Sequence, residues 1–258
     1  MSLPAIITAT RQTQTGLIAE IPEDWMQGRT SYGGLSSALA LEAARRLADD
    51  LPPLRSAQVS FVGPLVGEIE VRTRMLRRGR NASWVTAEVE SAAGIGLVAT
   101  FVFMGPVEST LHLNNMPPPA GLIAVDDAIP LPESAGPGFT RHFERRWAMA
   151  RSADKVPELL WWVRLKDRAG LYPMAEMMMI ADALPPGVMP LMTAQAPVSS
   201  MTWLCNLLTP QPETCDGWWL LRAAANYAEN GCSSQDMAIW NADGAAIAAG
   251  MQSIAIFG

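Results

Sequence analysis

Residues 174–190 read Met-Ala-Glu-Met-Met-Met-Ile-Ala-Asp-Ala-Leu-Pro-Pro-Gly-Val-Met-Pro. A helix drawn through residues 174–184 is apolar nearly all round, which is typical of a helix buried on every side. Pro185 and Pro186 predict that it ends just before them. Asp182 then lies in the last turn, where the helix macrodipole and burial both disfavour a negative charge.

This carboxylate has two interpretations. A buried acid opposed by a helix dipole is a candidate for chemistry, because active sites are where such perturbed groups collect. Alternatively, Asp182 faces the surface and pairs with an arginine. Its position alone leaves both interpretations open.

Composition limits the class of protein. The chain has 258 residues, 49% of them hydrophobic and 17% charged, which is enough for one large domain or two small ones with a sizeable core. A formal net charge of −6 argues against a nucleic-acid partner. Cys205, Cys215 and Cys232 lie far apart without metal-ligand spacing, which favours a reducing compartment and no bound metal.

We also expect a cytoplasmic protein without a membrane partner. No apolar run approaches the roughly 20 residues that cross a bilayer. The first residues lack the charged segment and apolar core of a signal peptide.

A helix followed by four strands is predicted twice. Residues 3–21 are β-rich, and residues 105–138 hold seven of the twenty prolines with little periodicity, which is typical of a linker. The predicted helices span residues 35–50 and 174–184; the predicted strands span residues 56–62, 68–76, 84–90, 97–103, 141–147, 159–165, 199–208, 218–227, 235–241 and 245–257.

The two halves also share sequence. The first helix ends Ala-Asp-Asp-Leu-Pro-Pro at residues 48–53, and the second ends Ala-Asp-Ala-Leu-Pro-Pro at residues 181–186. We therefore predict an α+β internal duplication, with an N-terminal half at 1–105, a proline-rich linker at 106–138 and a C-terminal half at 139–258. Each half is expected to wrap an antiparallel sheet around one long helix.

Short motifs in matching order carry a family resemblance. They are Tyr32-Gly33-Gly34 at the first helix start, Phe61-Val-Gly-Pro-Leu65, Leu76-Arg-Arg-Gly-Arg80, Ala181-Asp182, Ser200-Met-Thr-Trp and Met251-Gln252. With these, the chain resembles the thioesterase-like superfamily of double hotdog fold, which includes acyl-CoA thioesterase II. The resemblance implies two antiparallel sheets, each wrapped around one long helix, and hydrolysis of an acyl-CoA to free acid and CoA.

The resemblance also implies catalytic residues. The family's thioesterases hold a water against the thioester carbonyl with an Asp, a Thr or Ser hydroxyl and a Gln. Carried over by position, these are Asp182, Ser200 and Gln252, with Ser200 standing where thioesterase II has Thr. We expect Asp182 and Gln252 to face each other across a gap wide enough for one water. Strand alternation places Gln252 on a core face but groups Ser200 with Thr202, on a face that solvent can reach.

Substrate binding is assigned to two groups. The backbone N–H groups of Gly33 and Gly34 suit the polarisation of a thioester carbonyl. Arg77, Arg78 and Arg80 suit the phosphates of coenzyme A, or else form a solvated hairpin end. No cofactor is expected apart from the coenzyme A of the substrate, and the family's edge-to-edge sheet pairing makes a homo-oligomer the expected assembly.

One site per chain is expected. Asp49 matches Asp182 in the first half, but Val102 stands at the position of Gln252 and Leu54 stands near that of Ser200. Two alternatives remain: a non-catalytic hotdog that binds acyl-CoA or lipid, and a hydratase-like enzyme on the same fold. Ser-His-Asp hydrolysis fits poorly, because the two histidines lie in the linker and in a strand, and no GxSxG motif occurs.

Overall fold

The structure is a computed structural model that describes residues 1–150 and 154–257; residues 151–153 and 258 of the predicted C-terminal half lie outside this description. It contains helices α1 (Leu3–Ala9), α2 (Gly33–Arg45) and α3 (Pro173–Ala181). The strands are β1 (Arg11–Gln12), β2 (Gly16–Ile21), β3 (Met26–Gln27), β4 (Thr30–Ser31), β5 (Leu54–Phe61), β6 (Gly67–Arg78), β7 (Ala82–Ser91), β8 (Gly94–Met104), β9 (Phe143–Trp147), β10 (Glu158–Leu165), β11 (Val198–Leu207), β12 (Trp219–Glu229), β13 (Cys232–Asn241) and β14 (Ala246–Ile256).

Twelve of the strands form one antiparallel sheet. Its order is β1-β2-β6-β7-β8-β5-β11-β14-β13-β12-β10-β9, and β3 and β4 form a separate hairpin. The two predicted sheets are therefore joined edge to edge within the chain, where β5 pairs with β11 and Val59 lies opposite Trp203. Each half of this sheet covers its own long helix, as in a double hotdog.

The two long helices pack against each other inside the sheet. α2 also contacts β6, β7 and β8, and α3 contacts β10. Every residue of α3 is buried except Pro173 and Glu176, in agreement with its apolar sequence. The helix ends at Ala181, and the Ala183 N–H still donates to the Ile180 carbonyl at 3.0 Å, so the chain turns before the two prolines.

The β-rich prediction for residues 3–21 is wrong for its first seven residues. Leu3–Ala9 forms about two helical turns, with Pro4 in the first turn, where the missing N–H costs nothing. Leu3 and Ile6 lie on one side of this helix and are buried, because their spacing matches a helical period.

The proline-rich segment packs on the outer face of the second half. Met116, Leu122, Ile123 and Val125 lie against a buried cluster that includes Leu160, Trp162, Trp218, Leu220, Ala238 and Trp240. Two indole N–H groups hold it there: Trp162 Nε1 donates to the Ile123 carbonyl and Trp240 Nε1 to the Met116 carbonyl, each at 2.9 Å. The segment is thus a cover for the sheet as well as a connection. The boundaries at 105/106 and 138/139 stay predictions.

No helix in the described part of the chain combines the length and the apolar character needed to span a membrane.

Candidate active site

The end of α3 meets the start of α2, and Asp182 lies at this junction. Tyr32, the N-cap of α2, offers no side-chain cap, and the first helical N–H with a partner inside the helix is that of Ser36, 3.2 Å from the Tyr32 carbonyl. The first-turn N–H groups of α2 are therefore free to bind a negative group. The Gly34 N–H is directed at the Asp182 carboxylate.

Asp182 is a desolvated carboxylate. Dense packing around it raises its pKa from 3.8 to about 7, although the Gln252 and Gly34 hydrogen bonds pull the pKa in the opposite direction. Part of the residue surface is still accessible. An acid with this pKa is a suitable general base near neutral pH, because both protonation states are populated there.

Gly33 permits the close approach of the two halves. A Cβ atom at this position would lie 2.7 Å from Asp182 Oδ2 and 2.8 Å from Cε1 of Phe61, at the end of β5. Any larger residue would displace the carboxylate or the ring. The predicted glycine start of the helix therefore lies directly against the predicted acid.

A row of amides continues from Asp182 across the inner face of the sheet. Gln252 Nε2 donates to Asp182 Oδ1 at 3.1 Å, and Gln252 Oε1 accepts from Gln235 Nε2 at 2.9 Å. Gln235 Oε1 in turn accepts from the Gly187 N–H at 2.8 Å. Gln235 is fully buried and was not among the predicted site residues. Its signal in the sequence is an amide on the inward face of β13, which it shares with Ser233 and Met237.

The expected water-sized gap between Asp182 and Gln252 is absent. The amide bonds the carboxylate directly, so that any bound water has to sit beside the pair, towards Asp182 Oδ2 and the start of α2. The nearby cavity under Ala181 and Leu184, against Trp203, measures about 10 Å³, about the space that one water needs.

Ser200 lies on the inner face, in contrast to the simple alternation of β11. Met201 forms a bulge, so that Ser200 pairs with Ile254 while Thr202 pairs with Ser253. Paired residues share a face, and Ile254 is buried beside Gln252. One extra residue therefore turns Ser200 towards the helices. In the described part of the chain, no hydrogen bond joins its hydroxyl to Asp182 or Gln252.

Tyr32 forms a second contact between the two helices. It is fully buried, its hydroxyl donates to the Met179 carbonyl at 2.5 Å, and its ring stacks on Phe139 at 4.1 Å. Burial raises the pKa of Tyr32 well above its usual value, and the charge of Asp182 adds to this. The hydroxyl therefore stays protonated and satisfies a carbonyl in the last turn of α3.

The opposite end of the helix pair contains the related half-site. Glu42 follows Tyr32 at the spacing at which Asp182 follows Tyr172, so Glu42 rather than Asp49 is the structural counterpart of Asp182. Glu42 is buried, and it is ion-paired with Arg45 and Arg46. α3 also begins with a proline, which has no N–H to offer. This half-site has neither a free carboxylate nor a glycine start.

The register of the hairpins corrects one equivalence between the halves. The β13–β14 and β7–β8 hairpins can be aligned by counting residue pairs from the first regular pair after the turn. The Gln252–Gln235 pair of the second half then occupies the same position as the Phe101–Val85 pair of the first half. Phe101, and not Val102, is therefore the counterpart of Gln252, because Val102 points to the outer face. The buried amides of the second half are replaced by buried apolar residues in the first.

The three predicted arginines lie away from this junction. Arg78 pairs with Ser83, which lies level with Leu54 at the start of β5. Phe61, which is next to the junction, lies at the other end of that strand, roughly 20 Å away. Arg78 is ion-paired with Asp50, and the Arg77 guanidinium lies 5.9 Å from the centre of the Trp84 ring. The Arg80 side chain is exposed. Their contact with coenzyme A phosphates stays a prediction.

A duplicated unit of one long helix on an antiparallel sheet, with the units joined edge to edge, defines a double hotdog protein. Sequence-family models agree with this class. Residues 21–104 match the acyl-CoA thioesterase N-terminal domain, and residues 119–256 match the acyl-CoA thioesterase C-terminal domain. The chain belongs to the acyl-CoA thioesterase family.

Solved structures share the whole fold. A hot dog fold protein of Alicyclobacillus acidocaldarius aligns with a TM-score of 0.84 at 18% identity, over 98% of this chain and 97% of that chain. Acyl-CoA thioesterase II TesB2 of Mycobacterium marinum aligns with a TM-score of 0.80 at 15% identity, over 100% and 99%. The tesB protein of Mycobacterium avium subs paratuberculosis gives 0.74 at 17% identity, over 99% and 98%. No curated protein sequence matches the chain.

Proposed function

We propose that this chain hydrolyses the thioester of an acyl-CoA to the free acid and CoA, at one site between the end of α3 and the start of α2. The observation that carries the proposal is the carboxylate of Asp182. Its pKa is raised to about 7, it accepts hydrogen bonds from Gln252 and from the Gly34 N–H, and it lies against Gly33 at the glycine start of α2. Membership of the family supports acyl-CoA as the substrate class.

In the proposed reaction, the thioester carbonyl oxygen accepts a hydrogen bond from the first-turn N–H group of Gly33, while the Gly34 N–H holds the Asp182 carboxylate and not, as expected from the sequence, the substrate. Asp182 takes a proton from a water beside its Oδ2 as the water oxygen bonds to the carbonyl carbon. The tetrahedral oxyanion then collapses and the carbon–sulfur bond breaks. The proton held by Asp182 passes to the leaving thiolate, which restores the carboxylate and releases CoA.

Two polar side chains have supporting roles in this proposal. Gln252 holds the carboxylate in place through Nε2 and stabilises its charge. Ser200, which the β11 bulge turns inwards, contributes a hydroxyl to the water. We assign the coenzyme A phosphates to Arg77, Arg78 and Arg80; alanine substitution there is expected to raise KM and leave kcat unchanged.

The test is thiol release from a panel of acyl-CoAs of different length and type, measured with a thiol reagent. Wild type should release CoA, and Asp182→Asn should keep the fold and lose activity by at least about a hundredfold. Full activity in Asp182→Asn would end the proposed mechanism. Tight acyl-CoA binding without release would indicate a binding protein, and loss of enoyl-CoA absorbance without thiol release would indicate a hydratase.

A further inference from the structure

We propose that Gln235 is a positioning residue that fixes which end of the Gln252 amide faces Asp182. The inference rests on the proposed function, because it concerns the state of the same carboxylate. Gln235 is separated from Asp182 by Gln252, so it acts through that amide.

The orientation problem arises from the shape of an amide. Its oxygen and nitrogen ends are nearly the same size, but one only accepts hydrogen bonds and the other only donates them. A Gln252 amide turned over would place its oxygen against Asp182 Oδ1, and two acceptors repel. Something has to hold the donating end towards the acid.

A backbone N–H group fixes the orientation of both amides. The Gly187 N–H only donates, so Gln235 has to present its oxygen to it, at 2.8 Å. The nitrogen of Gln235 then faces Gln252 and requires an oxygen there, at 2.9 Å. The nitrogen of Gln252 is left for Asp182, at 3.1 Å. The three bonds form one directed row that starts at the main chain.

The start of this row is itself fixed. Gly187 is buried in the turn after the two prolines, and a Cβ there would lie 2.6 Å from the Ala223 carbonyl oxygen of β12. The main chain is thus pressed against the sheet, and its N–H has a defined position. The Gln235 side chain is fully buried, so it has no access to water as an alternative hydrogen-bond partner.

Substitution of Gln235 by an apolar residue removes the constraint on Gln252. The amide of Gln252 then turns freely, and Asp182 loses a hydrogen bond that stabilises its charged form. We expect Gln235→Met to move the acid limb of the kcat profile upwards by about one pH unit, with a tenfold loss of kcat below that limb. KM should stay unchanged, because Gln235 lies behind Gln252 and away from the substrate.

Ser233→Ala is the matched control. Ser233 is buried on the same face of β13, and its hydroxyl has no hydrogen-bond partner in the described part of the chain. Its loss removes a buried polar group from the same strand without touching the row. The pH profile of Ser233→Ala should equal that of wild type.

A double substitution separates positioning from general damage. In a Gln252→Met background, Gln235→Met should change neither kcat nor the pH profile further, because the amide through which it acts is gone. A pH limb in Gln235→Met equal to that of wild type would overturn the inference. Additive losses in the double variant would also overturn it.

A second measurement works without activity. The Asp182 carboxyl is titrated by NMR on ¹³C-labelled aspartate, assigned with Asp182→Asn, in wild type and Gln235→Met. An upward shift of the Asp182 pKa in the variant supports the inference even where wild type hydrolyses no acyl-CoA, which would refute only the proposed function. An unchanged pKa refutes the inference.

If Gln235→Met does not fold, wild type alone decides. The side-chain amide protons of Gln235 and Gln252 should exchange at least tenfold more slowly than those of the exposed Gln58, because the row holds them. Equal exchange rates would overturn the inference.

Discussion

Replacing Asp182 by Asn should stabilise the protein, and by an amount that depends on pH. The pKa of this carboxyl is raised from 3.8 to about 7, a change of about 3 pKa units, and each unit corresponds to about 1.36 kcal/mol. The ionised side chain therefore lowers the free energy of unfolding by at most about 4 kcal/mol. Asn stays neutral and still accepts from Gln252 through its side-chain oxygen.

The direction in which stability changes with pH follows from how many protons the folded and unfolded states bind. Below pH 4, Asp182 is protonated in both the folded and unfolded states, so its ionisation contributes nothing. Between pH 4 and 7 the folded state holds a proton that the unfolded state has released, and wild-type stability falls as the pH rises. Above pH 7 both states are ionised and the full penalty is present. The advantage of Asp182→Asn should grow from near zero at pH 4 to its maximum by pH 8.

Urea unfolding of wild type and Asp182→Asn at several values between pH 4 and 8 measures this difference, since effects of other carboxylates cancel between the two proteins. Asp236→Asn is the control, because Asp236 is exposed on the outer face of β13. As an exposed side chain, it should change the free energy of unfolding by no more than about 0.5 kcal/mol. Parallel curves for wild type and Asp182→Asn would refute the assignment of Asp182 as a desolvated acid.

Three further substitutions test the junction. Gly33→Ala should reduce thiol release by about a hundredfold, because its Cβ displaces the acid, while Gly105→Ala, with its nearest neighbour 3.9 Å away, should not. Glu42→Gln should lower the free energy of unfolding by about 1–3 kcal/mol in urea and leave thiol release unchanged, since the proposed site lies at the other junction. Tyr32→Phe leaves the buried Met179 carbonyl without this hydrogen bond, and it should lower the free energy of unfolding in urea by about 1–3 kcal/mol. Equal activity loss in Glu42→Gln and Gly33→Ala would contradict the one-site interpretation.

Periodicity was sufficient for most of the fold. The alternation of Glu68 to Leu76 predicts a strand that the structure extends to Gly67–Arg78. The apolar run before Pro185 predicts a buried helix to residue 184, and the observed helix ends three residues earlier, at Ala181. Such patterns report which faces are buried, and burial is what local sequence encodes best. The helix at Leu3–Ala9 was missed because seven residues are too few for a period to be distinguished.

Contacts between distant residues were less accessible to sequence. Asp182 and Gln252 bond directly, but they are 70 residues apart, and no local pattern reports how the end of α3 meets β14. Alternation cannot register the bulge at Met201, which reverses the face of every residue before it, so the sequence alone leaves the face of Ser200 open. Gln235 carried a usable signal: an amide on an inward strand position has to find partners, and the nearest inward position on the next strand is Gln252.

The two junctions between α2 and α3 differ in what partners their buried acid. Both tyrosine N-caps face a carboxylate of the other helix, Asp182 in one case and Glu42 in the other. In the first, an amide row meets the acid, and no cation of the described residues pairs with it. In the second, two arginines neutralise the acid and Phe101 fills the place of Gln252. A buried acid without a cation is costly to stability, whereas one with two is not. The junction at Asp182 retains the costly arrangement, which is expected of a site kept for chemistry.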